Sequence, residues 1–405
     1  MMHRPHRRTR IFLTICLLAT VLAAGCAGVS GRMIIPIAPE TIEPVDAAPL
    51  RVLWAKRLVD ETNQDLWRPM QYSFPVVEDN IVYLGNTWNA FYAFDALNGD
   101  ILWKFDTAGP VECGAVVIGD KVVFGDGDGR VYCLNRHTGL LQWVYSVQGQ
   151  VQGRLATDGT LVFVRTSHER LYAVTLADGK WKWMQSREMP DGFTIRGVSS
   201  PVVDNGRVLT GYADGYFMAY RAEDGVEVFK TLLQKSDRLV DVDSTPVVIE
   251  ERIYLAGYGG NFYCLNRDNA AIQWTFNRGS VQRAEIDGDI IYLSDDQGFL
   301  FALEKRTGKE LWSFDLREYD LENSLAKSPR RKLKIPTTAV PFGKLVLVAS
   351  SDGYIYGLSR EKGELRWKFW PGYGVTSAMS VVQDRLYVHT NFGNVYCLKP
   401  NPFHR

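Results

Sequence analysis

Three carboxylates crowd the run SDRLVDVDSTPVV at 236–248: Asp237, Asp241 and Asp243, with Arg238 among them and a Val-Val pair following. Acids at this density can ligate a divalent cation, share a proton as an acid–base pair, or present charge to a partner. A second run, GDGDGR at 125–130, has the look of half a calcium loop. The histidines offer no metal pair: His3 and His6 lie near the start, and His137, His168, His389 and His404 stand singly. No nucleophile stands at recognisable spacing from a base and an orienting partner, so the chain reads as non-enzymatic, with no cofactor and no metal. Which chemistry the acids serve depends on the elements that hold them.

Those elements repeat. Gly99 and Trp103, Gly139 and Trp143, Gly179 and Trp183, Gly308 and Trp312, and Gly363 and Trp367 are each four residues apart. Gly225 with Phe229 and Ala270 with Trp274 are degenerate copies, and seven residues before each glycine position comes Tyr92, Tyr132, Tyr172, Met218, Tyr263, Phe301 or Tyr356. Within one copy, GAVVIGD, KVVFGDG, GRVYCLNRHTG and LLQWVYSV read as four short strands joined by Asp-Gly and Thr-Gly turns. Four-stranded antiparallel sheets recurring without helical periodicity predict an all-β fold, a β-propeller, with a sandwich or solenoid as the alternative. The last copy stops after three strands, whereas LRVLWAKRL near the start is a tryptophan strand with nothing before it. Pairing the two predicts eight blades and no open sheet edge between the ends.

On this repeat several motifs become turn or packing residues. GDGDGR falls with YADGY, DDQGF and SSDGY at the turn between second and third strands, where Asp-Gly suits a tight hairpin. Cys133, Cys264 and Cys397 follow the repeat tyrosine, where other copies carry Ala or Gly, and so read as small buried residues. Their blades lie too far apart for disulfides; a bridge from Cys113 to Cys133 within one blade stays open. The tryptophans read as packing between blades, with sugar or cofactor stacking the alternative. ENSLAKSPRRKLKIP at 322–336 carries Lys327, Arg330, Arg331, Lys332 and Lys334 and reads as a solvated loop, or as a basic patch for lipid headgroups or an acidic partner surface.

The N-terminal stretch stands apart from the fold. Arg4, Arg7, Arg8 and Arg10 precede an apolar run, Ile11 to Ala24, too short for a comfortable membrane span and typical of an export signal. Its end, Leu-Ala-Ala-Gly-Cys at 22–26, resembles the bacterial lipoprotein signal, in which the cysteine is acylated and becomes the mature terminus. That resemblance implies a signal peptide at 1–25 and a lipid on Cys26; the prolines Pro36, Pro39, Pro44 and Pro49 make 26–49 read as an extended tether, and the repeat makes 50–405 the propeller. Ala27 after the cysteine points to the outer membrane by the usual sorting rule. An ordinary secretory peptide is the alternative. Removing the four signal arginines from 46 basic residues leaves 42 against 46 acids, a balance of about −4 that suggests no nucleic-acid partner.

The Tyr, Thr-Gly and Trp repeat resembles that of quinoprotein dehydrogenases, which bind pyrroloquinoline quinone on an eight-bladed propeller. Members of that group are longer and commonly carry a vicinal cysteine pair; this chain has no adjacent cysteines. A lipoprotein signal with one bare propeller is instead similar to the BamB family, propeller lipoproteins of the outer-membrane β-barrel assembly machinery. Two runs carry the likeness: MPDGFTIRGVSSPVV at 189–203 and DRLVDVDSTPVV at 237–248. In that family they form the surface that holds BamA, the barrel-inserting subunit, so the resemblance implies partner-binding roles for Phe193, Ile195, Arg196, Asp241 and Asp243. It also implies a lipid anchor on the periplasmic face of the outer membrane, contact with other assembly members and help to nascent outer-membrane proteins. Repeat register adds that Arg196 and Asp241 both fall five residues before the prolines, Pro201 and Pro246, that open adjacent innermost strands. An acid facing an arginine across the blade gap is the expected geometry. A propeller serving a polysaccharide or surface complex is the alternative reading, and a quinone-dependent oxidoreductase a more distant one.

Overall fold

A computed structural model describes residues 49–58, 70–188, 199–233, 241–317, 334–351 and 353–401. The described strands form eight four-stranded antiparallel sheets. In blade 1, β2 (Val76–Glu78), β3 (Ile81–Asn86), β4 (Ala90–Asp95) and β5 (Ile101–Asp106) follow one another outward. Blades 2 to 7 repeat this order over 116–146, 156–186, 202–232, 247–276, 285–315 and 340–369. Blade 8 uses three strands from 380–400 and takes its outermost strand from β1 (Leu50–Arg57), which runs antiparallel to the last strand from Leu50 against Pro400 to Arg57 against Asn394. The eight-bladed propeller closed by its own N-terminal strand is therefore as expected.

The four-residue Gly-to-Trp spacing has a steric cause. Six repeat tryptophans, Trp54, Trp103, Trp143, Trp183, Trp274 and Trp312, lie over the turn glycine of the next blade: a methyl on Gly139 would sit 2.8 Å from the Trp103 ring, and one on Gly225 2.8 Å from Trp183. These glycines also hold positive φ, 70° at Gly139 and 75° at Gly225, so close approach and backbone both exclude a side chain. The indole N–H then donates onward, Trp103 to the Arg136 carbonyl at 2.9 Å and Trp183 to that of Ala222 at 2.8 Å. The two degenerate copies meet at one interface: Phe229 of blade 4 packs in the same cluster as Ala270 of blade 5. The smaller ring leaves room for the methyl that a tryptophan would exclude. The tryptophans thus pack between blades.

The axial ends are pinned by another recurrent position. Ser199, Ser244, Thr337 and Ser377 each stand twelve residues before the end of a second strand, and Ser73 twelve before Gly85, the last residue but one of β3; Ser199 Oγ accepts from Gly211 N at 3.0 Å while donating to the Ser244 carbonyl at 3.0 Å. Cys113 fills this position in blade 2, where its Sγ accepts from Gly125 N at 3.3 Å. The four described cysteines are free thiols, so the Cys113 to Cys133 bridge does not form.

Candidate docking rim

The lead-in to each innermost strand is tied to the second-to-third-strand hairpin of the preceding blade. Val111 N donates to the Asn86 carbonyl at 2.9 Å, Val151 N to that of Asp126 at 3.1 Å and Val242 N to that of Tyr212 at 3.1 Å. The valine side chains insert where the neighbouring second strand ends in glycine, and a Cβ on Gly211 would collide with the Val242 carbonyl. This fixes Asp241 and Asp243 on either side of a buried plug, at 2% and 7% exposure. The Asp241 carbonyl accepts from Tyr258 N at 2.9 Å, tying the run to the hairpin of its own blade. Asp243 Oδ2 is buried with no hydrogen-bond partner among the described residues. Burial foremost, then the charges of Asp241, Glu169 and Asp296, push the Asp243 carboxyl up to about 8 against the opposing pull of Arg165. At neutral pH Asp243 is mainly a neutral acid.

Arg165 and Glu169 come from blade 3, and repeat comparison shows how unusual both are. The column holding Arg165 otherwise reads Gly85, Gly125, Gly211, Ala256, Ser294, Ala349 and His389. Glu169 sits in the left-handed turn position filled by glycine in most blades, at φ 55°. A charged side chain there carries a backbone cost of about 1 kcal/mol. The pair compensates: Arg165, 2% exposed, donates through Nη2 to Glu169 Oε2 at 3.0 Å and to the Gly211 carbonyl at 3.1 Å. Glu169 Oε2 also accepts from Ala213 N at 3.0 Å, and the guanidinium stacks 4.2 Å from the Tyr212 ring centroid. Since Tyr212 in turn accepts from Val242, one chain of contacts runs from blade 3 through blade 4 to the Asp241–Asp243 run. Beside it Arg187 reaches Asp214 (Nε to Oδ2, 2.6 Å) and lies 4.7 Å over the Tyr216 ring. None of these was among the expected site residues; comparing each repeat column, rather than only the tryptophan column, is the signal that finds Arg165 and Glu169.

Phe193, Ile195 and Arg196 lie outside the described residues, as do Asp237, Arg238 and Cys26. The structure thus brings Asp241 and Asp243 together and says nothing of the expected arginine opposite them. Asp126 serves its own hairpin: Oδ1 accepts from Asp128 N and Arg130 N at 3.0 and 2.9 Å, and Oδ2 from Tyr132 Oη and Gly109 N at 2.8 and 3.1 Å. Lys334 corrects the reading of the 322–336 run as uniformly solvated. It is 3% exposed, and its Nζ donates to the Leu316 carbonyl at 2.9 Å and to Tyr356 Oη at 3.3 Å, closing the blade 6 to blade 7 connection instead of joining a surface patch.

Comparison with known proteins adds the following. The model of a family described as outer membrane protein assembly factor BamB matches residues 17–114, 92–314 and 298–400. The chain is 27% identical over 340 residues to outer membrane protein assembly factor BamB of Yersinia pestis, covering 80% of this chain and 83% of that protein. To the Escherichia coli K12 protein of the same name it is 29% identical over 305 residues, 71% of this chain and 74% of the other. Among solved structures, BamB from Moraxella catarrhalis superposes with a TM-score of 0.72 at 21% identity, over 86% of this chain and 99% of that one. Quinohemoprotein alcohol dehydrogenase from Comamonas testosteroni shares the fold, with a TM-score of 0.66 at 15% identity over 87% and 76% of the two chains.

Proposed function

Because this chain belongs to the outer membrane protein assembly factor BamB family, we propose that it is a non-enzymatic scaffold of the outer-membrane assembly complex, docking a BamA-like barrel-inserting subunit. The docking surface combines Phe193 and Ile195 as apolar anchors and Arg196 as the polar anchor with the acidic run at Asp241 and Asp243, on the lead-in to blade 5. The observation that carries this is the fixation of the Asp241–Asp243 run. Two carboxylates with little solvent contact are held by a ladder from Arg165 to Val242, which is support for a precise surface rather than a solvated acidic loop. Residues 1–25 act as an export signal, Cys26 carries the lipid, and residues 26–49 tether the propeller to the periplasmic face of the outer membrane. More than one acyl chain gives a stable anchor, since each buried CH₂ contributes about 0.8 kcal/mol and a single chain is marginal.

Affinity purification from detergent-solubilised membranes tests both parts. Arg196→Ala should lose the barrel-inserting subunit while keeping a wild-type melting temperature, whereas Asp241→Arg, at a buried position, should lose it with a lowered melting temperature; undiminished co-purification of Arg196→Ala would refute the docking rim. Cys26→Ala should release the protein into the soluble periplasmic fraction; continued membrane retention would refute the anchor.

A second role follows from the outer strands of blades 1 to 3, where Ile101, Leu141, Val144 and, at 59% exposure, Trp181 face solvent on unpaired sheet edges. Such edges accept an extended apolar strand by β-augmentation, the form in which a nascent barrel strand would arrive. A photo-crosslinker replacing Trp181 should capture nascent barrel proteins during export; labelling equal to that of a polar turn position such as Asn98 would count against the idea.

A further inference from the structure

Neighbouring blades meet where the end of one second strand faces the lead-in of the next blade. At the ends of blades 1, 2 and 4 the fit is a glycine against a valine. A Cβ on Gly85 would sit 2.2 Å from Val111 Cγ1 and one on Gly125 2.4 Å from Val151 Cγ1, with Gly211 and Val242 the third pair. The seam from blade 8 to blade 1 is built differently. His389 stands in the glycine column, and Gln71 in the valine column, two residues before Ser73 as Val111 is before Cys113.

The contacts these two residues make are polar. His389 is fully buried, and its Nδ1 lies 2.9 Å from the Ser73 carbonyl. A carbonyl only accepts, so Nδ1 carries the proton and Nε2 is the bare nitrogen of a neutral ring. Nε2 has no partner among the described residues. Gln71 N–H donates to Asn391 Oδ1 at 3.1 Å, where Val111 and Val151 use a backbone carbonyl, and the Gln71 carbonyl accepts from Thr376 Oγ1 at 2.9 Å. A second proton on the imidazole would therefore place a cation and an unpaired N–H in a contact closed to water. Burial, opposed by the Ser73 carbonyl, holds the ring down at about 4. The ionisable groups on the elements around it are Tyr387 and Cys397 in its own sheet, Lys56 and Arg57 on β1, Tyr72 on the blade 1 lead-in and Tyr92 on β4. Glu112 comes from the blade 2 lead-in, beside Cys113, whose carbonyl accepts from Ser73 Oγ at 2.9 Å. The two cations on β1 oppose a positive imidazole, and Lys56 already pairs with Asp100 of blade 1 at 3.5 Å.

We propose that His389 is an acid-released latch of the ring: proton uptake at Nε2 breaks its hold on the blade 1 lead-in and parts blades 8 and 1, while the glycine–valine seams stay shut. The latch stands or falls without the docking rim. Once the seam opens, the imidazole regains its ordinary affinity for protons, at 6.5, whereas the closed seam accepts one only near 4. The open form therefore binds more protons between these values, so the closed seam is fully favoured above about pH 6.5 and is lost progressively as pH falls towards 4. The opening equilibrium rises about 60-fold from neutral to about pH 4.5 and approaches about 300-fold below pH 4.

Amide hydrogen exchange of the full purified protein, expressed as protection factors so that the intrinsic pH dependence of exchange drops out, reads the seams one by one. The Gln71 N–H crosses from blade 1 to blade 8, and the Val111 and Val151 N–H groups cross the next two seams. In the wild type the Gln71 protection factor should fall about 60-fold between neutral and about pH 4.5, with those of Val111 and Val151 unchanged. His389→Gln keeps a donor for the Ser73 carbonyl and removes the titration, so Gln71 protection should no longer depend on pH. His389→Ala, the residue that Ala256 and Ala349 supply in blades 5 and 7, is a second variant that should behave the same way. Constant Gln71 protection in the wild type, an equal loss at all three seams, or the wild-type loss persisting in both variants would overturn the latch.

Discussion

Replacing Asp243 by Asn keeps the side chain's shape and removes its ionisation. The unfolded carboxyl titrates at its ordinary value of 3.8, whereas burial and the neighbouring acids push the folded group to about 8. Between these values the native state holds a proton that the unfolded chain has released, so stability falls as pH rises through the window and levels off above it. At about 1.4 kcal/mol for each of roughly four pH units of separation, the full effect is on the order of 6 kcal/mol. The unfolding free energy of wild type should therefore decline between about pH 4 and pH 8 more steeply than that of Asp243→Asn, by that amount in total. An amide placed where Asp243 Oδ2 has no described partner adds a cost of about 1 kcal/mol at every pH, which shifts the variant's curve without changing its slope. Urea titrations at a series of pH values measure the difference directly. Parallel stability curves would refute the protonated-acid reading. The same variant should still co-purify with the barrel-inserting subunit at neutral pH, because the wild-type group it replaces is already mostly uncharged there.

Three further outcomes follow. Arg165→Leu leaves Glu169 buried without its cation and should destabilise by about 3–5 kcal/mol, and adding Glu169→Gly, which restores the turn glycine of other blades, should recover part of that in thermal melts. Phe229→Trp should cost about 1–3 kcal/mol by crowding Ala270, and the double variant with Ala270→Gly should return towards wild type; additive losses would show that the two positions do not share a packing site. Cys113→Ser should change stability by less than about 1 kcal/mol because serine holds that position in several blades, whereas Cys113→Val should cost about 1–3 kcal/mol by leaving the buried Gly125 N–H unpaired.

Fold and site were legible in the sequence to different degrees for physical reasons. A tryptophan over a positive-φ glycine is a constraint on two residue types at fixed spacing, so the repeat, the blade number and the closure of blade 8 by β1 could be read from Trp54 to Trp367. Even the irregular copies obeyed the rule, Phe229 pairing with Ala270. Arg165 and Glu169 escaped because their meaning lies in a departure from glycine columns that a search on aromatic spacing never compares. In sequence Lys334 is indistinguishable from its basic neighbours in 322–336, since charge runs are usually solvated; its burial depends on the Tyr356 hydroxyl and the Leu316 carbonyl, which only the folded chain brings to it. Asp241 and Asp243 were singled out, but their depth was not, since alternation around Val242 fixes their relative direction and not how far the lead-in sinks between blades.

The closure of blade 8 also sets an order of events during synthesis and export. β1 emerges before the other strands of the ring, yet its partners, Asn394 to Pro400, form the last of them to be made. Joining segments some 340 residues apart in an otherwise unfolded chain would cost about 5 kcal/mol in loop entropy, so the intervening blades must form before the ring can shut. Until then Trp54 has neither the Ala96 carbonyl nor the Tyr387 ring to hold it, and the propeller is an open solenoid with two raw edges. Loss of the Asn394–Pro400 strand would therefore strand β1 as well, making completion of this last blade the step that decides whether the whole ring is stable.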